Sequence, residues 1–139
     1  MKRVMVAVAC TAALVAGLSA QSKKNVWSGV YTNAQADRGQ DLYKSKCTMC
    51  HGPTLNGAID GGPPLVGAGF MLRWEGMSLN DMVDQIAEMM PAENPNTLKR
   101  QEYVDLLTYL FRANKIPAGT TELGANAAAL DAVEVHTKP

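Results

Sequence analysis

The feature that most constrains this 139-residue chain is the run Cys47-Thr48-Met49-Cys50-His51. Two thiols lie three positions apart, and an imidazole follows at once. A close cysteine pair in an exported chain is read first as a disulfide. The rival readings need further partners. A structural zinc site takes four ligands, usually as two pairs, whereas the third cysteine, Cys10, lies in an apolar N-terminal run and the other histidine is His136. An iron–sulfur cluster normally takes four cysteines. A thioredoxin-like redox pair belongs in a βαβ pattern, and the sequence has no strand-like alternation.

The histidine directly after the pair selects a different chemistry. C-x-x-C-H is the attachment motif for c-type haem. Cys47 and Cys50 are placed to add to the two vinyl groups of one porphyrin edge, and His51 then supplies the proximal imidazole to the iron. The second axial ligand is sought among the 8 methionines. Most methionines fill cores, but Met90 ends an apolar-periodic segment, Ser78–Met90, and is followed at once by Pro91. Proline stops the helix and sets an extended turn, which holds a thioether at a defined point. Met90 is therefore the expected distal ligand and Met89 the runner-up. Met49, Met71, Met77 and Met82 are read as spacer, packing or surface residues. His/Met ligation raises the reduction potential and suits electron transfer.

The first twenty residues carry Lys2 and Arg3, a small apolar run from Val4 to Leu18, and Ser19-Ala20 before Gln21. This is the layout of a cleaved secretory signal peptide. The run of about fifteen residues is short of the roughly twenty needed to span a bilayer, so no stable membrane insertion of the mature chain is expected. Removing residues 1–20 leaves 11 Lys+Arg against 13 Asp+Glu, a net charge of −2. No basic run remains, which excludes a nucleic-acid partner. The expected location is periplasmic or otherwise exported.

The rest of the chain reads as helices and Gly/Pro loops. Thr32-Asn33-Ala34-Gln35 is a capping box, and Ala36, Gly39, Leu42 and Tyr43 then recur at helical spacing up to Cys47. Gly39 inside a helix predicts close approach of another helix. Gly52–Gly69, with Gly61-Gly62-Pro63-Pro64, is a loop suited to drape round a flat cofactor. A short helix is expected over Met71–Trp74. Ser78 caps the next helix, with Asp81 three positions on. The last helix runs from about Arg100 to Asn114 with Tyr103, Leu106, Leu107, Leu110 and Phe111 as its buried stripe, and Thr97 is its candidate cap. Trp27 and Tyr31 are expected to pack on the domain, and residues 119–139 to form a peripheral tail. Such a core is thin without a porphyrin, so the haem-free chain is expected to be largely unfolded.

Together these residues resemble the class I cytochrome c family over roughly 33–118. The family's glycine and aromatic before the motif match Gly39 and Tyr43. The leucine and Tyr-Leu pair of its C-terminal helix match Leu106, Tyr109 and Leu110. Its Gly-Pro-x-Leu loop matches Gly62-Pro63-Pro64-Leu65, which implies that the Pro63 carbonyl accepts a hydrogen bond from His51 and orients it. Its distal methionine commonly precedes proline, as Met90 does, and Arg73 and Trp74 look like the segment that meets a haem propionate. The resemblance implies an all-α fold, a small cytochrome c fold of three to four helices wrapped around one covalent haem c. The expected layout is a leader over 1–20, an N-terminal tail over 21–32, the cytochrome domain over 33–118 and a C-terminal tail over 119–139. The implied function is one-electron transfer by a monomeric carrier, not an enzyme. Its partners are redox proteins, such as a periplasmic dehydrogenase or a respiratory complex, that act as donor or acceptor. The alternative is a haem-based sensor or haem enzyme with a labile distal methionine.

Overall fold

Three helices carry the architecture: α1 over Asn33–Lys46, α4 over Leu79–Met89 and α5 over Arg100–Ala113. Shorter helices lie between and after them, namely α2 over Thr48–His51, α3 over Ala68–Arg73 and α6 over Ala127–Asp131. The computed structural model describes residues 22–58 and 61–138. The leader expected over 1–20, with Cys10, lies outside the described residues. The fold is all-α, as the sequence pattern implies, with α2 and α6 added to the expected helices.

The α1 helix starts where the capping box places it. Thr32 Oγ1 accepts from the Gln35 amide at 3.3 Å, and Gln35 Oε1 accepts from the Thr32 amide at 3.4 Å. Gln35 is also fully buried. Its side chain exchanges two hydrogen bonds with the backbone of Leu123, at 2.9 and 2.7 Å. One residue thus caps a helix and clamps the C-terminal segment, and burying its amide costs little because both ends are paired.

The α1 and α5 helices cross at Gly39. A Cβ placed there would collide with the Asp105 carbonyl oxygen and crowd the Leu106 Cα at 3.0 Å. The two backbones are in contact, and only hydrogen fits between them. Beside the crossing, Arg38 binds the buried Asp105 carboxylate through Nε at 2.7 Å and Nη2 at 3.1 Å. Further along, the Tyr43 and Tyr109 rings pack with centroids 5.3 Å apart. The stripe Tyr103, Leu106, Leu107, Leu110 and Phe111 is buried throughout.

The α5 helix begins at Arg100 as expected, but its cap differs from expectation. Thr97 Oγ1 donates to the Asn94 carbonyl at 2.8 Å instead of capping the helix. The helix begins at Arg100, and Glu102 accepts from the Lys99 amide at 2.7 Å. A carboxylate in the first turn satisfies an amide that would otherwise lack a partner and favours the positive helix end. Ser78 does cap α4, accepting from the Asp81 amide at 3.1 Å.

The segment after α5 was expected to be peripheral with no regular period, and no strand was expected. Instead, Leu123, Leu130, Val133 and Val135 are buried. Residues Lys24–Asn25 and Val133–Glu134 form two short strands, β1 and β2, that pair in parallel with Lys24 opposite Val133. Val135 exchanges backbone hydrogen bonds with the α3–α4 turn, donating to the Met77 carbonyl at 2.9 Å and accepting from the Gly76 amide at 2.8 Å. Two-residue strands are too short to leave an alternation signal. The N-terminal aromatics join this strap: Tyr31 donates to the Ile116 carbonyl at 2.7 Å and Trp27 Nε1 to the His136 carbonyl at 2.8 Å.

The Gly39→Ala variant tests the crossing. The collision is with backbone, so overpacking of about 1–3 kcal/mol should outweigh the roughly 1 kcal/mol by which alanine favours a helix. Thermal or denaturant unfolding of the haem-loaded protein should show a net loss of stability. An unchanged or more stable variant would contradict the contact.

Candidate functional site

The cysteine motif sits directly on the end of α1. The Cys47 amide donates to the Tyr43 carbonyl at 2.9 Å, continuing the helical ladder, and the His51 amide donates to the Cys47 carbonyl at 2.9 Å. The motif therefore winds into one helical turn, α2, in which positions i, i+3 and i+4 share a face. Cys47, Cys50 and His51 hold those positions. Met49 falls on the other side and is 91% exposed.

His51 is buried, and its ring is gripped by the loop that follows. Nδ1 lies 2.9 Å from the Pro63 carbonyl oxygen. A carbonyl can only accept, so Nδ1 carries the hydrogen, and in the neutral ring the lone pair is then on Nε2. The loop comes so close to the ring that a Cβ on Gly62 would collide with the His51 Cε1 atom. The Gly62 amide fixes this approach by donating to the Cys50 carbonyl at 2.7 Å. Gly52, at φ 74°, turns the chain out of α2, and its carbonyl accepts from the Tyr43 hydroxyl at 2.6 Å. Burial pushes the Tyr43 pKa up to about 12, so the hydroxyl keeps its proton and its bond to Gly52.

At the end of α4, Met90 leaves the helix with extended backbone, φ −131° and ψ 146°. Its amide donates to the Ile86 carbonyl at 2.8 Å, and its carbonyl accepts from the Tyr103 hydroxyl at 2.7 Å. Met89 remains in the last turn of α4, 40% exposed.

These groups surround one cavity of about 960 Å³, lined by Cys47, Cys50, His51 and Pro63, by both Met89 and Met90, and by apolar side chains of α3 and α5. Its volume and mostly apolar lining suit a large flat cofactor. Both motif cysteines are free thiols, so the pair is not a disulfide. The Cys47 thiol is pushed up to about 11, first by burial and then by the neighbouring Cys50. It is therefore a neutral group in an apolar wall at pH 7 rather than a metal-ready thiolate. Among the described residues no three of His, Cys, Asp and Glu come together as a metal-ligand cluster.

One polar atom in the cavity wall tests the fit of a haem. Trp74 is 4% exposed, and its Nε1 is the buried side-chain polar atom without a hydrogen-bond partner among the described residues. An orphaned buried donor costs about 1–3 kcal/mol. Trp74 lines the cavity, as does Arg73, whose guanidinium lies 5.3 Å from the Trp74 ring centroid. A carboxylate-bearing group in the cavity would supply the missing acceptor, which is what a haem propionate offers.

A helical turn presenting two free thiols and a tautomer-fixed histidine to such a cavity defines a small all-α c-type cytochrome domain. Residues 34–110 match the model of the family described as cytochrome C oxidase, cbb3-type, subunit III, and the chain belongs to that family. A cytochrome c-553-like protein of Synechocystis sp. (strain ATCC 27184 / PCC 6803 / Kazusa) is 36% identical over 75 residues, 54% of this chain and 66% of that protein. The chain thus spans slightly less than two thirds of that relative's length. No solved structure matches the chain. The chain is a class I monohaem c-type cytochrome whose cofactor is haem c.

Sequence reasoning missed two roles in this site. Tyr103 was read only as part of a buried stripe, although a buried tyrosine hydroxyl needs a partner and finds it in Met90. Gly62 was matched only as the first residue of the Gly-Pro-x-Leu loop, whereas its missing side chain is what lets the loop cross the His51 ring.

A cavity of this size without its cofactor leaves the walls lacking contacts on one side. The same chain produced without haem attachment, as Cys47→Ser/Cys50→Ser, should lose most of its helical circular dichroism and its cooperative thermal transition. A haem-free chain that retains both would contradict this.

Proposed function

We propose that the chain is an exported one-electron carrier in which Cys47 and Cys50 hold haem c by thioether bonds, and His51 and Met90 are the axial ligands of its iron. The observation that carries the reading is the His51 Nδ1–Pro63 oxygen bond of 2.9 Å. It commits the other ring nitrogen, Nε2, to act as a ligand and raises its basicity. The bound haem supplies the redox chemistry, accepting and releasing one electron at its iron. The chain's own residues keep the surroundings constant: the apolar wall excludes water, the Pro63 carbonyl holds the imidazole orientation, and the α4 end holds Met90. A soft thioether paired with imidazole favours the reduced state and raises the potential.

The donor and acceptor in this reading are redox proteins, a periplasmic dehydrogenase or a respiratory complex. The family description, which names a subunit of a cytochrome c oxidase, supports a respiratory setting. The leader pattern over residues 1–20 supports export, where c-type haem is attached. Among the described residues no helix is long and apolar enough to cross a membrane. The exposed haem edge near Cys47 and Cys50 is the expected meeting point with a monomeric carrier's partners.

Optical spectra of the haem-loaded protein test the ligand set. The ferric form should be low-spin with a methionine–sulfur charge-transfer band, and the ferrous form should ignore carbon monoxide at neutral pH. Met90→Ala should lose the band and bind carbon monoxide, while Met89→Ala should do neither. Ready carbon monoxide binding by the unaltered protein would instead favour a sensor or enzyme with a labile distal methionine.

A further inference from the structure

We infer that Tyr103 is a positioning residue that holds Met90 at the cavity and so sets how readily that methionine yields its place to another ligand. The inference rests on the reading of Met90 as the distal ligand and goes beyond it.

The argument starts from how the loop after α4 is tied down. The Met90 amide closes the last turn of α4 on Ile86, and Pro91 has no amide to donate. The other backbone and hydroxyl bonds of this loop stay local: Asn94 amide to Pro91 carbonyl at 2.9 Å, Thr97 hydroxyl to Asn94 carbonyl at 2.8 Å, and Asn96 amide to Ala87 carbonyl at 2.9 Å; the one longer-range contact is a 4.0 Å approach of the Cys50 thiol to Glu93 Oε1, whose donor a thioether link would remove. Among the described residues, the hydrogen bond that joins residues 90–98 to α5 is the one from the Tyr103 hydroxyl to the Met90 carbonyl, at 2.7 Å.

Its setting makes it selective. Tyr103 is 2% exposed, and its ring lines the cavity beside Leu106. A phenylalanine would fill the same space, so the hydroxyl is not needed for packing. Buried among apolar groups, that hydroxyl is costly unless bonded, and the Met90 carbonyl is where it bonds. Two groups that each need the other hold the backbone of residue 90 to α5. Because α5 is locked to α1 at Gly39, Met90 is referenced to the same frame that carries Cys47 and His51. Without the hydroxyl, the loop keeps its local bonds and the packing of Leu98 on the core but loses its hydrogen bond to that frame. Displacement of the Met90 thioether then meets less resistance.

The test uses the full haem-loaded chain and imidazole as the competing ligand for the ferric form. Tyr103→Phe should keep the methionine–sulfur band without imidazole but bind imidazole about 3- to 10-fold more tightly, the factor one neutral hydrogen bond supplies. Tyr103→Leu, which also lacks the hydroxyl and brings no ligand atom, should behave alike and serves if the phenylalanine variant fails to mature. Thermal unfolding is measured in parallel. A hydroxyl with a purely structural role lowers the unfolding temperature and leaves imidazole affinity unchanged, and that outcome overturns the inference while Met90 stands. If the unaltered protein lacks the band, or Met90→Ala retains it, the distal-ligand reading fails and this inference fails with it.

Discussion

The contact of two helix backbones at Gly39 is the constraint on which the rest of this molecule depends. It brings α1 against α5 with no side chain between them. The end of α1 then delivers Cys47 and, one turn later, Cys50 and His51. The face of α5 toward the cavity delivers Tyr103, Leu106 and Leu110. A shift of the crossing by the width of a methyl group would move the cysteine-bearing wall relative to the wall that carries Tyr103. Arg38 and Asp105 reinforce the position with a two-point ion pair at the crossing itself. A paired charge is tolerated there because its hydrogen bonds are satisfied.

Within that frame, the site separates its apolar and polar tasks. Most of the cavity wall is hydrocarbon and aromatic surface, which excludes water and gains from covering a porphyrin. The polar groups are few, and each is aimed. Pro63 fixes the tautomer of His51, Gly62 lets that carbonyl reach the ring, Tyr103 holds the backbone of Met90, and Trp74 offers an unpaired donor to a carboxylate. The groups of such a site are held by backbone hydrogen bonds between neutral partners.

Much of this was legible in the sequence where a local rule applies. The Thr32–Gln35 capping box, the Ser78 cap and the stripe of α5 are short-range patterns, and the helices lie where they indicate. The motif at 47–51 named its chemistry by the order of its residues. What stayed hidden depended on distance along the chain. Gln35 reaches Leu123 and Val135 reaches Met77, and no period in the sequence announces such pairings. Residues 119–138 therefore read as a tail although four of their apolar side chains are buried. The start of α5 near Arg100 was legible, but its cap was not: Thr97 has the right chemistry for a cap, and the Asn94 carbonyl claims its hydroxyl. The role of Tyr103 was hidden because a stripe identifies the side of a helix that is buried and not what a hydroxyl on that side will meet.

The most direct test of the account is a crystal structure of the haem-loaded protein with anomalous data collected at the iron edge. The account predicts a single iron site inside the cavity, bonded to His51 Nε2 and the Met90 sulfur, with thioether links at Cys47 and Cys50 and the His51–Pro63 bond intact. Iron bound through Met89, through a different side chain, or through one protein ligand only would contradict the account.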